Sequence, residues 1–181
     1  MKYKFWRIER FIHQYYDLPL KKFLESWEDK LIEYYYNEVQ ITKKYNVLCN
    51  IKEINEYLDD IITPIIFNNY NVDLPFTQNS YNIYVQDDKE YASVWHNHST
   101  DTASITGVIY ISPPKVGGGI EFKNEPFPSI TIEPRENILT LFPSWLNHRP
   151  LPQKDKKKRI CINYSYSCFK RPVHKISGDL W

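Results

Sequence analysis

The sequence predicts an α+β protein in which helices come first and a compact β region follows. Three observations carry that expectation. Two early segments place apolar residues at three- and four-residue intervals, the period of an amphipathic helix. After about Asn71 the texture changes to short β-rich runs cut by Pro, Gly and Asn. The chain has 181 residues, 42 % hydrophobic and 25 % charged, which is ordinary globular composition and enough for one substantial core. Residues 1–181 are therefore read as one domain, with 1–70 mainly helical and 71–181 forming the β core.

The first helix is marked by Leu20, Phe23, Leu24, Trp27, Leu31 and Tyr34, with Asp17 and Pro19 as start signals, and is expected from Leu18 to Asn37. The second has Asn50 as N-cap and Glu53 three residues on. Its apolar face is Ile54, Tyr57, Leu58 and Ile61, and Pro64 is its expected stop. Seven strands then follow: YNIYVQ (81–86), ASVWHNH (92–98), ITGVIYI (105–111), IEF (120–122), SITI (129–132), ILTLF (138–142) and RICINYSY (159–166). Short strands at this spacing read as a sandwich or closed barrel, with the helices packed on one sheet.

Formal net charge is +1, so the whole-molecule field gives no reason to expect a polyanion. A local basic excess between Lys154 and Lys175 has the usual meaning of a solvated hairpin and tail, and nucleic acid is not expected as a partner. Cys49, Cys161 and Cys168 form no CxxC pair and no framework spacing, which reads as a reducing compartment. The N-terminal residues lack the apolar stretch of a signal peptide, and no run approaches the roughly 20 residues of a spanning helix. A cytoplasmic, membrane-free protein is expected.

Chemistry enters through the histidines. On a strand, residues i and i+2 share a face, so an extended 92–98 projects His96 and His98 together while Asn97 faces away. Two adjacent imidazoles are a pair of metal ligands in need of a third. His148 is the candidate, directly after ILTLFPSWL, where Pro143 interrupts the strand pattern and predicts an exit into a loop. Arg159 opens the last strand, sharing a face with Cys161 and Asn163, and PLPQKDKKK before it has the composition of a hairpin connection. That connection would return Arg159 to the side of the barrel that holds His148. An arginine fork in a mostly apolar barrel calls for an anion, and a dicarboxylate would meet it in bidentate fashion. Trp95, Trp145 and Phe142 could wall such a pocket, although core packing is the commoner use of each. His13 and His174 fall outside the pattern. The letters His-Asn-His also evoke HNH nucleases, but there the residues are dispersed over a ββα motif.

The order His96-Asn97-His98, ITGVIYIS, the Gly117–Gly119 turn into Ile120-Glu121-Phe122, Ile132-Glu133-Pro134, LFPSWLNH and Arg159 resembles the Fe(II)- and 2-oxoglutarate-dependent oxygenases. The likeness is in particular to the small oxygenases of bacterial and phage genomes, with a prolyl hydroxylase-like layout, and covers roughly residues 81–168. It implies a double-stranded β-helix, a jelly roll whose mouth holds Fe(II). It also implies a reaction in which O2 and 2-oxoglutarate give succinate and CO2 while a substrate, a protein side chain or a small molecule, is hydroxylated. It matches His96 to the first metal ligand, His148 to the distal one and Arg159 to the arginine that binds the far carboxylate of 2-oxoglutarate. The position two residues on, where the family carries a hydroxyl, is Cys161, and Tyr84 and Asn82 are further candidates for contacting the cosubstrate. One position departs from the pattern. The family's carboxylate ligand stands two residues after the first histidine, and here that residue is His98. Three histidines could hold the iron, Asp101 could reach in from the following loop, or water could fill the position. The alternatives in function are a non-catalytic jelly-roll binding module and a three-histidine cupin-like dioxygenase that does not use 2-oxoglutarate.

Overall fold

A computed structural model describes residues 8–70, 78–86, 94–98, 103–154 and 156–167. After a 3-10 turn at Ile8–Phe11 comes a short strand β1 (His13–Tyr15), then helices α1 (Lys21–Glu25) and α2 (Glu28–Thr42). The single helix expected from Leu18 to Asn37 is thus two. At the break the Ser26 and Trp27 amides bond carbonyls three residues back, and the Ser26 hydroxyl takes the Phe23 carbonyl, which tightens the turn and ends α1. α2 continues past Asn37 to a left-handed C-cap at Lys43 (φ 57°).

Strand β2 (Val47–Leu48) leads to α3 (Lys52–Asn69). Ile51, not Asn50, is its N-cap, and Pro64 lies inside it. A proline inside a helix forfeits one backbone bond and costs roughly 3 kcal/mol. Here its ring faces solvent, while Ile54, Leu58, Ile62 and Ile66 are all fully buried on the opposite side. Burying an aliphatic side chain stabilises by about 1.5–3 kcal/mol, so Ile66 together with Tyr70 and the half-buried Ile65, all packed on the core beyond the proline, offsets the local loss.

The remaining elements are strands β3 (Gln78–Gln86), β4 (Ala103–Ser112), β5 (Ile120–Lys123), β6 (Ile130–Ile132), β7 (Leu139–Pro143), β8 (Asn147–Pro150) and β9 (Arg159–Ser167). Among the described residues they make two antiparallel sheets, a larger one ordered β1-β7-β4-β9-β3-β2 and a smaller one ordered β6-β5-β8. β1 precedes the helices and β2 separates α2 from α3, so the helices do not all come first as expected, while the α+β class and the later run of strands match. Of the expected strand 92–98, the described part, 94–98, forms only an isolated bridge, His96 to His148. The expected loop after Pro143 turns at Ser144 to Leu146 and re-enters a sheet as β8, because the Leu146 amide bonds the Pro143 carbonyl and reverses the chain. The segment between β8 and β9 is not a hairpin, since it crosses from the smaller sheet to the larger.

The larger sheet has two unlike faces. Tyr81, Ile83 and Val85 of β3, Ile109 of β4, Leu139 and Leu141 of β7, and Ile160, Ile162 and Tyr164 of β9 join Leu31 and the α3 stripe in one hydrophobic core. The alternate residues, Tyr84, Val108, Tyr110 and Cys161, cluster on the other face. That face turns toward the smaller sheet. Phe142 of β7 meets Phe122 of β5 edge to face, with ring centres 4.8 Å apart, in a second, smaller core with Ile8, Ile120 and Leu146.

Candidate metal centre

Between the two sheets lies a cavity of about 530 Å³, lined by residues of β3, β4, β9, the smaller sheet and α2. Its metal-binding chemistry starts from backbone pairing. The His96 amide bonds the His148 carbonyl at 3.0 Å and the His148 amide returns the bond at 2.9 Å, so the two residues face each other across a narrow antiparallel pair. The His98 amide bonds the Ser144 carbonyl at 2.7 Å. Alternation places His96 and His98 together, and Asn97 on the other side donates to Asn147 at 2.8 Å.

The three imidazoles converge. Ring centres are 4.4 Å apart for His96 and His148, 5.4 Å for His96 and His98, and 5.3 Å for His98 and His148. One nitrogen from each ring lies within 4.8 Å of the others, a spacing that can hold a metal ion. Two tautomers are fixed by the backbone: the Nδ1–H of His96 donates to the Val94 carbonyl at 3.0 Å, and that of His148 to the Leu146 carbonyl at 2.8 Å. In the neutral ring each of these bonds leaves Nε2 as the lone-pair nitrogen, the form a metal requires. Burial pushes the His148 pKa down to about 3, with its two histidine neighbours acting in the same direction, so it is neutral at any physiological pH. An all-imidazole donor set suits borderline divalent metals such as Fe(II), and the residues fit. The exposure of the three is graded, with His96 exposed, His98 intermediate and His148 buried against Phe142 at 4.8 Å.

Arg159 forms another part of the cavity wall and is 4 % exposed. Its Nη1 donates to the Gly118 carbonyl at 2.8 Å and the Leu151 carbonyl at 3.2 Å, which hold the fork in place. Gly118 presents that carbonyl from a positive φ of 72°, and a Cβ there would lie 2.4 Å from the Pro114 Cγ. Only glycine fits. Cys161 also lines the cavity, and burial raises its thiol pKa although Arg159 beside it acts the other way. Tyr84 lines it as well and donates its hydroxyl to Asn46 Oδ1 at 2.8 Å. Asn82 does not: its neighbour in register, Asn163, takes the place on the wall. Asp101 lies outside the described residues.

Of the three aromatic candidates, Phe142 is a wall. Trp95 sits one residue from His96, hence on the opposite face, with the Arg149 guanidinium 4.6 Å from its ring centre. Trp145 packs edge to face on Phe11 at 5.1 Å. Gln86, Tyr110 and Thr106 line the cavity unanticipated, although each shares strand parity with a predicted neighbour: Gln86 with Tyr84, Tyr110 with Cys161 across the β4–β9 pair, and Thr106 with Phe142 across the β4–β7 pair. Tyr35 and Tyr45 close it from the helical side, a placement no local pattern encodes.

No sequence-family model and no curated protein matches the chain. Solved structures do. A Pseudomonas putida prolyl-4-hydroxylase is similar over 88 % of this chain and 89 % of its own, with TM-score 0.61 and 13 % identity. A Trichoplax adhaerens prolyl hydroxylase, in complex with a peptide of the hypoxia inducible factor oxygen degradation domain, covers 88 % and 84 %, with TM-score 0.62 and 13 % identity. The non-heme monooxygenase ThoJ, a nickel complex, covers 91 % and 77 %, with TM-score 0.58 and 12 % identity. These neighbours are oxygenases of the 2-oxoglutarate- and Fe(II)-dependent family, and at such identities the likeness is one of fold.

Proposed function

We propose that this chain is an Fe(II)- and 2-oxoglutarate-dependent oxygenase on a double-stranded β-helix, hydroxylating a protein side chain or a small molecule with release of succinate and CO2. The observation that carries the reading is the convergence of three imidazoles, two with Nε2 left bare by backbone hydrogen bonds, on a cavity that also holds a buried arginine. The likeness of fold to the prolyl hydroxylases supports it.

His96, His98 and His148 hold the metal in this proposal, with His98 in the place of the family's carboxylate. Bound there, Fe(II) would activate O2, with oxidative decarboxylation of 2-oxoglutarate supplying two of the four electrons that O2 takes up. The protein's own share is positional. Backbone bridges fix the His96–His148 pair, and Phe122 and Phe142 back the His148 ring. Arg159 takes the far carboxylate as a fork. Val108, Tyr110 and Ile120 make the walls apolar, which limits water around the reacting centre. The volume lies in the range of small-molecule sites.

A second reading has one observation in its favour. The donor set, as described, is all imidazole, which suits a cupin-like dioxygenase working without 2-oxoglutarate. Anaerobic titration with Fe(II) and then 2-oxoglutarate decides, because a chelated keto acid gives a visible charge-transfer band. The proposal expects the band in the wild-type protein, lost in His98→Ala and retained in Asp101→Ala. Iron binding without the band moves the assignment to the cupin-like enzyme, and no iron binding moves it to a binding module.

A further inference from the structure

Gln86 ends β3 and is 7 % exposed, yet neither its Nε2 nor its Oε1 makes a hydrogen bond among the described residues. Buried polar groups are nearly always paired, so an amide with both ends idle is an exception that calls for a partner. The side chain lines the cavity. It stands directly opposite Arg159 in the β3–β9 register, which puts both side chains on the cavity face with Cβ atoms about 5 Å apart. Within this pair the guanidinium anchors Nη1 on the carbonyls of Gly118 and Leu151. The register thus sets a guanidinium and a primary amide, both rich in N–H donors, side by side on one cavity wall.

From this juxtaposition we infer that Gln86 is an anion-recognition residue, donating Nε2–H to the far carboxylate of the keto acid that Arg159 grips while Oε1 turns to the guanidinium. The inference rests on the proposed function and deepens it. The residue type supports it: a glutamate of the same shape would neutralise Arg159 and repel an incoming carboxylate, whereas the amide preserves the charge and adds a donor. Ser, Thr or Tyr would have to donate and accept through a single oxygen; the carboxamide separates the two roles, with two donors on Nε2 and the acceptor on Oε1.

The test measures binding rather than turnover. Wild-type protein, Gln86→Leu and Gln86→Glu are loaded with Zn(II) and titrated by calorimetry with 2-oxoglutarate and with 2-oxobutyrate, a keto acid that lacks the far carboxylate. Gln86→Leu is expected to weaken 2-oxoglutarate roughly tenfold or more, the loss of a hydrogen bond to a charged group, and to leave 2-oxobutyrate within about twofold. Gln86→Glu is expected to weaken 2-oxoglutarate about 100-fold or more while its Tm stays at or above that of the wild type, because an internal ion pair with Arg159 replaces the ligand. Unchanged 2-oxoglutarate affinity in both variants, or equal losses for the two keto acids, overturns the assignment of Gln86 alone. A wild-type protein that binds Zn(II) but not 2-oxoglutarate overturns the proposed function, and this inference with it.

Discussion

Replacing His96 by alanine separates metal binding from folding. The residue is exposed, and its bridge to His148 runs through backbone atoms that alanine keeps, so the fold should lose no more than about 0.5 kcal/mol. The metal should lose far more. Structural zinc in four-ligand peptides binds with about 10–16 kcal/mol, or about 3 kcal/mol per donor, and removing one of three imidazoles therefore weakens binding about 100-fold. Thermal unfolding with Zn(II) at 100 times the wild-type Kd reads the difference. Such saturation stabilises the wild type by about 2.7 kcal/mol, a rise of about 5–10 °C in Tm for a domain of this size. At the same concentration a 100-fold weaker variant gains about 0.4 kcal/mol, or about 1–2 °C. A His96→Ala protein whose Tm rises with Zn(II) as much as the wild type's would show that the ion sits elsewhere, and the site would have to be abandoned.

Other perturbations address the remaining walls. Arg159→Leu should leave Zn(II) affinity within about threefold and weaken 2-oxoglutarate 10-fold or more, as measured by calorimetry, since the guanidinium acts on the anion alone. Gly118→Ala should cost about 1–3 kcal/mol in urea unfolding, because it sets a side chain at a φ of 72° and against Pro114, and it should weaken 2-oxoglutarate as well by moving the carbonyl that anchors Arg159. The Glu121 carboxyl is held below its ordinary value by the Ser129 hydroxyl, and then by Arg149 at 2.7 Å, so its contribution to stability is present above the unfolded pKa and fades as pH falls through the lower folded value. The Tm gap between wild type and Glu121→Gln should therefore be open at pH 7 and close below about pH 4; a gap constant with pH would refute the pairing.

Much of this arrangement is legible in one-dimensional periodicity. A period of two put His96 with His98 and Arg159 with Cys161, and the same rule, applied one residue back, would have removed Trp95 from the pocket. A period near 3.6 found both helical stripes. What escaped depends on partners distant in sequence. Val47–Leu48 and Asn147–Pro150 are strands because β3 and β5 offer them edges, not through composition. Pro64 stays inside α3 because Ile66 is buried beyond it, and Gln86 looked like an ordinary strand end until Arg159 stood across from it.

The mutual bridge between His96 and His148 bears on which parts of the centre can open. His148 belongs to a strand with a ladder on β5, whereas the backbone of the described segment 94–98 pairs through an isolated bridge and the His98–Ser144 bond rather than a ladder. Amides bonded through so few links exchange with solvent by small local openings, while those of β9, paired on both sides, wait for larger ones. An ion on three imidazoles would act as a clasp across that difference. Deuterium uptake at the His96 and His98 amides should slow when Zn(II) is added, with the β9 amides unmoved.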